Sequence, residues 1–300
     1  MDHLHPAIRA LLAQTDEIRI NHIRSDHWVG YNRAKTVLEK MENLLSHPRI
    51  NRMPGVLLVG GSNNGKSSVL ARFHELHPAV NDPANNRLMM PVLIVQCPPG
   101  PDERRFYHAI LDRLSAPYRS SSRVEDKHRQ VKTILEQVGT RLLILDEIHN
   151  VLAGAMTRRW HFMNVIKYIS NDLCLPIVAA GTDAAFNVIT TESQLSNRLQ
   201  PMLLPYWKDD KEFWTLLASL ERGLPLKKPS GLKEESLSAE IFRLSEGILG
   251  EAVALLKEAA CKAIVTAQEC ITLKIIRSLN FVPPSKRRAE NGDPSAPEAD

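Results

Sequence analysis

No apolar run in this chain reaches membrane-spanning length, and its start, Met1-Asp2-His3-Leu4-His5-Pro6, has no signal-peptide core. The expectation is therefore a cytoplasmic protein without a membrane partner. Cysteine is scarce: Cys97, Cys174, Cys261 and Cys270 are scattered, with no C-x-x-C pair. Neither a disulfide framework nor a zinc ribbon fits, and the four read as reduced thiols. The eleven histidines make no zinc pattern. His74-Glu75-Leu76-His77 is too close for H-E-x-x-H, and His77 precedes Pro78, where a helix stops. Nor is there a large charge of one sign. The net charge is only +4, so any attraction to nucleic acid must come from local clusters. Apolar content is ample: 43 % of 300 residues allows one large or two modest domains.

One segment carries the chemistry. Val56-Leu57-Leu58-Val59 runs directly into Gly60-Gly61-Ser62-Asn63-Asn64-Gly65-Lys66-Ser67, which spells G-x-x-x-x-G-K-S. A buried strand, a glycine loop and then a helix is the context of a P-loop. Its inward N–H groups, from Gly60 to Ser68, cradle phosphates. Lys66 adds a point charge on the β- and γ-phosphates, and the Ser67 hydroxyl ligates Mg2+. A nucleoside triphosphate and Mg2+ are thus the expected cofactors. About eighty residues on, Arg141-Leu142-Leu143-Ile144-Leu145-Asp146-Glu147 is an apolar run ending in two acids. Asp146 is placed as the Walker-B acid that holds Mg2+ through water. Glu147 is placed to take a proton from the attacking water, so hydrolysis is expected as well as binding.

Strands are expected at Val56–Val59, Val92–Gln96, Leu142–Asp146, Ile177–Ala180 and Met202–Leu204, with helical segments between most of them. Short, nearly all-apolar strands alternating with helices indicate an α/β fold, a five-stranded parallel sheet covered on both faces. Both phosphate motifs fall at strand carboxyl ends, where such sheets bind ligands. Residues 1–24 read as an N-terminal amphipathic helix after Pro6, and 25–205 as the α/β core. Residues 206–281 read as a small helical lid, with helices near Lys211–Leu220, Ala239–Gly247 and Glu251–Thr266. The tail, 282–300, is rich in Pro, Ala and charge and is expected to be disordered. Two basic stretches stand out: Arg104-Arg105, and Arg119-Ser120-Ser121-Ser122-Arg123. Arginine with serine hydroxyls suits phosphate contact, and a solvated charged face accounts for them equally well.

No N-K-x-D guanine-reading motif is present. Pro176-Ile177-Val178-Ala179-Ala180-Gly181-Thr182-Asp183 is an apolar strand ending in a polar residue, and Gln194-Leu195-Ser196-Asn197-Arg198-Leu199 precedes the fifth strand. These are the places where AAA+ ATPases carry sensor 1 and the arginine finger. Trp28, Gly30 and Tyr31 in W-x-G-Y, Arg52-Met53-Pro54-Gly55, the P-loop, Leu145-Asp146-Glu147-Ile148-His149-Asn150, A-G-T-D and Q-L-S-N-R follow one another in this order. Over roughly residues 5–275 the chain resembles TniB, the transposon-encoded AAA+ ATPase related to TnsC and MuB.

The resemblance implies an ATP-dependent regulator of DNA transposition. Such a protein oligomerises on target duplex DNA as a ring or helical filament. It recruits or activates a DDE transposase of the TniA type, often through a TniQ-type adaptor, and hydrolysis resets it. It further implies Thr182 as sensor 1 and Arg198 as a finger acting on a neighbouring subunit. Trp28, Val29 and Tyr31 would line an adenine pocket, core packing being an equally good account of Trp28. Arg104, Arg105, Arg119, Ser121, Ser122 and Arg123 become expected DNA contacts. One position departs from the pattern. Gly247-Ile248-Leu249-Gly250 is followed by the acid Glu251, where relatives often have a sensor-2 arginine, and Lys257 is the candidate substitute. Two other readings stay open: a nucleotide-switch scaffold that scarcely hydrolyses, and a protein-remodelling AAA+ machine. The latter usually has an aromatic-glycine pore loop, and Cys97-Pro98-Pro99-Gly100-Pro101-Asp102-Glu103-Arg104 has no aromatic.

Overall fold

The apolar runs pair as parallel strands. The computed structural model describes residues 3–84, 86–152, 154–191 and 197–290. Its strands are β1 (Gly55–Gly60), β2 (Val80–Asp82), β3 (Arg87–Met89), β4 (Val92–Gln96), β5 (Leu142–Asp146), β6 (Ile177–Gly181) and β7 (Leu199–Leu204). Five of them form one parallel sheet in the order β4-β5-β6-β1-β7. β1 and β6 are buried throughout and β5 up to Asp146. Leu57, Val59, Leu143 and Leu145 point into a core with Phe106, Ile110, Val131, Leu135 and Phe162 from three helices, Glu103–Arg113, Val124–Gln137 and Met156–Asp172. Val56 and Leu58, on the opposite face, are buried too, and the Lys66–Leu76 helix packs on β1 and on the Asn32–Leu45 helix. Each fully buried Leu, Ile or Phe stabilises the unit by roughly 1.5–3 kcal/mol.

From β1 the chain crosses to the far edge at β4, returns through β5 and β6, and then passes over β1 to β7. The crossover leaving β1 and the one leaving β6 run in opposite directions across the sheet, which opens a crevice at the carboxyl ends of these neighbouring strands, where such sheets bind ligands. The β2–β3 hairpin, paired antiparallel from Val80↔Met89 to Asp82↔Arg87, lies where no strand was expected.

The chain forms two compact units: Asn32–Pro205, and both ends together, up to Tyr31 and from Tyr206 on. In the second unit the expected N-terminal helix is broken into Pro6–Arg9, a tight 3-10 turn at Ala10–Ala13, and Asp16–Arg24. Gln14 is extended, and the Thr15 hydroxyl accepts from Ile18 N at 3.4 Å, capping a new start. Ile23 joins Phe213, Leu217, Ile241, Leu255 and Ile275 in one apolar core. Those residues come from Lys211–Glu221, Glu235–Ser245, Leu249–Val265 and Leu273–Arg277. Within the stretch read as a disordered tail, Pro284–Glu290 is helical, and Ser285 N donates to Glu246 at 3.1 Å. Residues 291–300 lie outside the described residues. Among the described residues no helix is long and apolar enough to cross a membrane.

Candidate nucleotide-binding site

The loop after β1 is shaped by two left-handed residues, Asn63 at φ +57° and Gly65 at φ +85°. That backbone turns consecutive N–H groups inward, the concavity that binds anions. Gly60 must lack a side chain, because a Cβ there would lie 2.7 Å from Leu204 O. The Asn64 amide donates to Leu204 O at 2.7 Å and to Pro205 O at 3.0 Å, tying the loop to the end of β7. Lys66 is buried, and its ammonium donates to the carbonyls of Gly60 and Gly61 at 2.8 and 2.7 Å. Burial pulls this ammonium below its ordinary range, while Glu147, Asp146 and Asp183 pull it the other way.

The Ser67 hydroxyl donates to Asp146 Oδ2 at 2.9 Å. A hydroxyl and a carboxylate together are the hard oxygen donors that Mg2+ takes. Glu147 follows in a left-handed turn at φ +57°, its own N–H donating to Asp146 Oδ1 at 2.9 Å. Glu147, His149 and Thr182 line one cleft of about 210 Å3 with residues 62–68. An anion-binding loop, a buried ammonium and this oxygen pair fit a magnesium-bound triphosphate. The structure thus brings together the P-loop, Asp146, Glu147 and Thr182. Sequence alone assigns no role to His149, whose Nε2 is 2.9 Å from the Glu147 carboxylate, nor to Asn150, whose amide donates to Cys97 O at 3.2 Å. Their signal was the L-D-E-I-H-N run, in which His149 stands two residues past Glu147. Cys97 is buried, which pushes its thiol up to about 12, and its N–H donates to Asp146 O at 2.8 Å. The other three cysteines are free and half-buried.

Arg198 sits at the other edge of the sheet. Its carbonyl accepts from Gly55 N at 2.9 Å, at the start of β1, whereas the P-loop leaves the end of β1. At about 3.3 Å per residue the two places are about 17 Å apart along the strand, and Arg198 is not among the residues that line its own chain's cleft. Gln194–Ser196 of the same motif lie outside the described residues. Trp28, Val29 and Tyr31 belong to the helical unit, where Tyr31 meets Trp207 edge-on at 5.3 Å. Glu251 is paired with Arg287, and Lys257 with Asp26 at 3.1 Å.

The expected DNA contacts lie at the start of one helix and in the loop that follows it. Arg104 and Arg105 are exposed in the first turn of the Glu103–Arg113 helix, which Asp102 caps. His108, four residues on, stacks on Tyr118 at 4.4 Å. Lys127 lies 5.1 Å over the Tyr118 ring and donates to Arg119 O at 2.6 Å. Arg119, Ser121 and Arg123 are exposed and Ser122 half-buried.

Solved structures share this architecture. The Aeropyrum pernix ORC2 protein, in ADPNP–ADP complexes, superposes with a TM-score of 0.62 at 15 % identity, over 86 % of this chain and 70 % of that one. The Aeropyrum pernix ORC1 protein in complex with DNA gives 0.60 at 16 % identity, over 90 % and 68 %. Cdc6p from Pyrobaculum aerophilum gives 0.59 at 14 % identity, over 87 % and 71 %. At such identities the likeness is one of fold, here the P-loop AAA+ fold. By sequence, none of the curated proteins matches the chain. The family model described as bacterial TniB protein does match, over residues 19–209. That span is more than half of the chain and takes in the P-loop, Asp146, Glu147, Thr182 and Arg198, so the chain belongs to the bacterial TniB family.

Proposed function

We propose that this chain is an ATPase that assembles on target duplex DNA as a homo-oligomer, a ring or helical filament, and regulates transposition there. It recruits and activates a TniA-type DDE transposase, with a TniQ-type adaptor as intermediary, and hydrolysis resets the assembly. The observation that carries this is the contact of Ser67 with Asp146 at 2.9 Å, beside the cleft that Lys66, Glu147 and Thr182 line. Family membership supports the transposition context.

Magnesium-bound ATP would supply the scissile phosphoanhydride and the charge that polarises it. The chain's own residues do the rest. Residues 60–68 cradle the phosphates, Lys66 exchanging two carbonyl partners for phosphate oxygens. Ser67 and Asp146 hold the metal, Glu147 orients the attacking water and takes its proton, and Thr182 offers its hydroxyl to the terminal phosphate. Trp28, Val29 and Tyr31 contact the adenine, and the helices after Tyr206 serve as the lid. Arg198 acts on the neighbouring subunit's nucleotide, a role its distance from its own cleft supports. Arg104, Arg105, Arg119, Ser121, Ser122 and Arg123 contact DNA phosphates.

Phosphate release with and without duplex DNA tests the reading, alongside electron microscopy of the protein with duplex and a slowly hydrolysed ATP analogue. Duplex-stimulated release and ordered assemblies on DNA are expected. A protein that hydrolyses ATP at a rate indifferent to DNA and stays monomeric would overturn it.

A further inference from the structure

The Met156–Asp172 helix leaves large apolar side chains in water. Met156, Trp160 and Tyr168 are 64, 44 and 55 % exposed. With exposed Asn164 they recur at four-residue intervals, which sets them along one side of the helix. Phe162, Val165, Ile166 and Ile169 bury the other side. Monomers rarely leave such a stripe open, and tryptophan is enriched at the centres of interfaces.

The stripe ends at a cationic site. Asn171, exposed in the last turn, accepts from Arg198 Nη1 at 2.6 Å, while Arg198 Nε is buried with no partner. Met53 and Pro54, the residues that follow Arg52, line one pocket with Arg198. Burial, and then Arg52, pull the Arg198 guanidinium below its ordinary range. Among the described residues neither arginine is ion-paired. Two like charges with no carboxylate paired to them among the described residues suit an anion. The chain's own phosphate cleft is at the far end of β1, so that anion has to arrive on another molecule.

We propose that this face docks a second copy of the chain. Met156, Trp160 and Tyr168 are the apolar anchors, and Arg52 joins Arg198 in contacting the nucleotide polyphosphate held in that copy's cleft. The inference rests on the oligomer reading above and adds to it a second cation and the surface that seats it. Charge complementarity selects the occupant: two guanidiniums face a cleft that carries Asp146, Glu147 and a triphosphate. Unlike faces meeting head to tail make a heterologous contact, which closes into a ring or continues as a filament.

The test uses the full chain with a slowly hydrolysed ATP analogue. Sedimentation velocity reads assembly, and titration with a fluorescent nucleotide reads binding by the monomer. The double variant Met156→Ser, Trp160→Ala should need about tenfold more protein to assemble, with unchanged nucleotide affinity in the monomer. Arg52→Ala should hydrolyse ATP about 10- to 100-fold more slowly at unchanged monomer affinity. Mixing Arg52→Ala with Lys66→Ala should restore part of the rate, because one of the two composite interfaces pairs intact arginines with an intact P-loop. Wild-type assembly by the double variant together with wild-type turnover by Arg52→Ala overturns the inference alone. Normal assembly with weakened duplex affinity would make the stripe a DNA-binding face instead, and also overturns it. A wild-type chain that never assembles removes the oligomer reading and this inference together.

Discussion

His149 Nε2 lies 2.9 Å from Glu147 Oε2, and both side chains line the nucleotide cleft. Glu147 sits in a left-handed backbone conformation at φ +57°, which costs a non-glycine residue roughly 1–2 kcal/mol. The imidazole engages one carboxylate oxygen, Oε2. His149 is thus a positioning residue for the proposed base.

His149→Ala should lower turnover roughly 10- to 100-fold, because a loosened base spends less time in a productive pose. Nucleotide affinity should be unchanged, and His149→Gln, which keeps a donor, should recover part of the rate. Steady-state phosphate release and fluorescent-nucleotide titration measure the two quantities. Undiminished turnover in the alanine variant would make the contact incidental.

Lys66→Ala should abolish nucleotide binding, since the loop loses its only full positive charge. Glu147→Gln should bind ATP and trap the DNA-bound assembly, because Ser67 and Asp146 still hold the metal while water activation is lost. Equal binding and wild-type hydrolysis in both variants would remove the motif assignments.

The sheet was legible because strands buried on both faces are continuous apolar runs; Leu142–Asp146 reads the same in sequence and structure. The meeting of Ser67 and Asp146, 79 residues apart, followed from both motifs standing at strand carboxyl ends. The β2–β3 hairpin was not legible. Its strands have three residues each, largely exposed, and show no apolar alternation. The break at Thr15 was masked by apolar residues on both sides of a single cap. Arg19 carries no signal in the sequence, because a partner 250 residues away leaves no local pattern. Arg52 stands in the sequence only as one letter of a motif, for the same reason.

Arg19 has no exposed surface, and its guanidinium donates to Glu269 Oε1 at 2.9 Å and to Pro225 O at 3.0 and 2.8 Å. Burial pushes the Glu269 carboxyl up, but Arg19 and Lys227 outweigh it and hold the group at about 2. Arg19→Ala should cost about 3 kcal/mol in the helical unit, since it leaves the buried Glu269 carboxylate with Lys227 as its remaining cation. A depressed carboxyl contributes stability that is present above its unfolded value near 4.5 and lost as pH falls toward about 2. Urea unfolding followed between pH 7 and pH 2 should therefore show wild type and Arg19→Ala converging at the acid end. A constant gap across that range would remove the ion pair as the cause.

Arg104 and Arg105 are exposed on the helix that carries His108, and Arg119 and Arg123 in the loop that carries its stacking partner Tyr118. Lys127 is buried beneath them, donating to Arg119 O at 2.6 Å; it shapes the loop and is not free to reach DNA. Replacing the four arginines together with alanine should weaken duplex binding on every sequence tested. It should also flatten the salt dependence, by about 0.9 in log–log slope for every phosphate that an arginine no longer neutralises. Stability should change little, because exposed arginines contribute little to the core. Nucleotide affinity of the free protein should hold, since none of the four lines the cleft. The measurement is fluorescence anisotropy of a labelled duplex with ATP analogue present, over a salt series. An unchanged slope in the quadruple variant would sink the assignment and direct attention to Lys286-Arg287-Arg288 near the C-terminus.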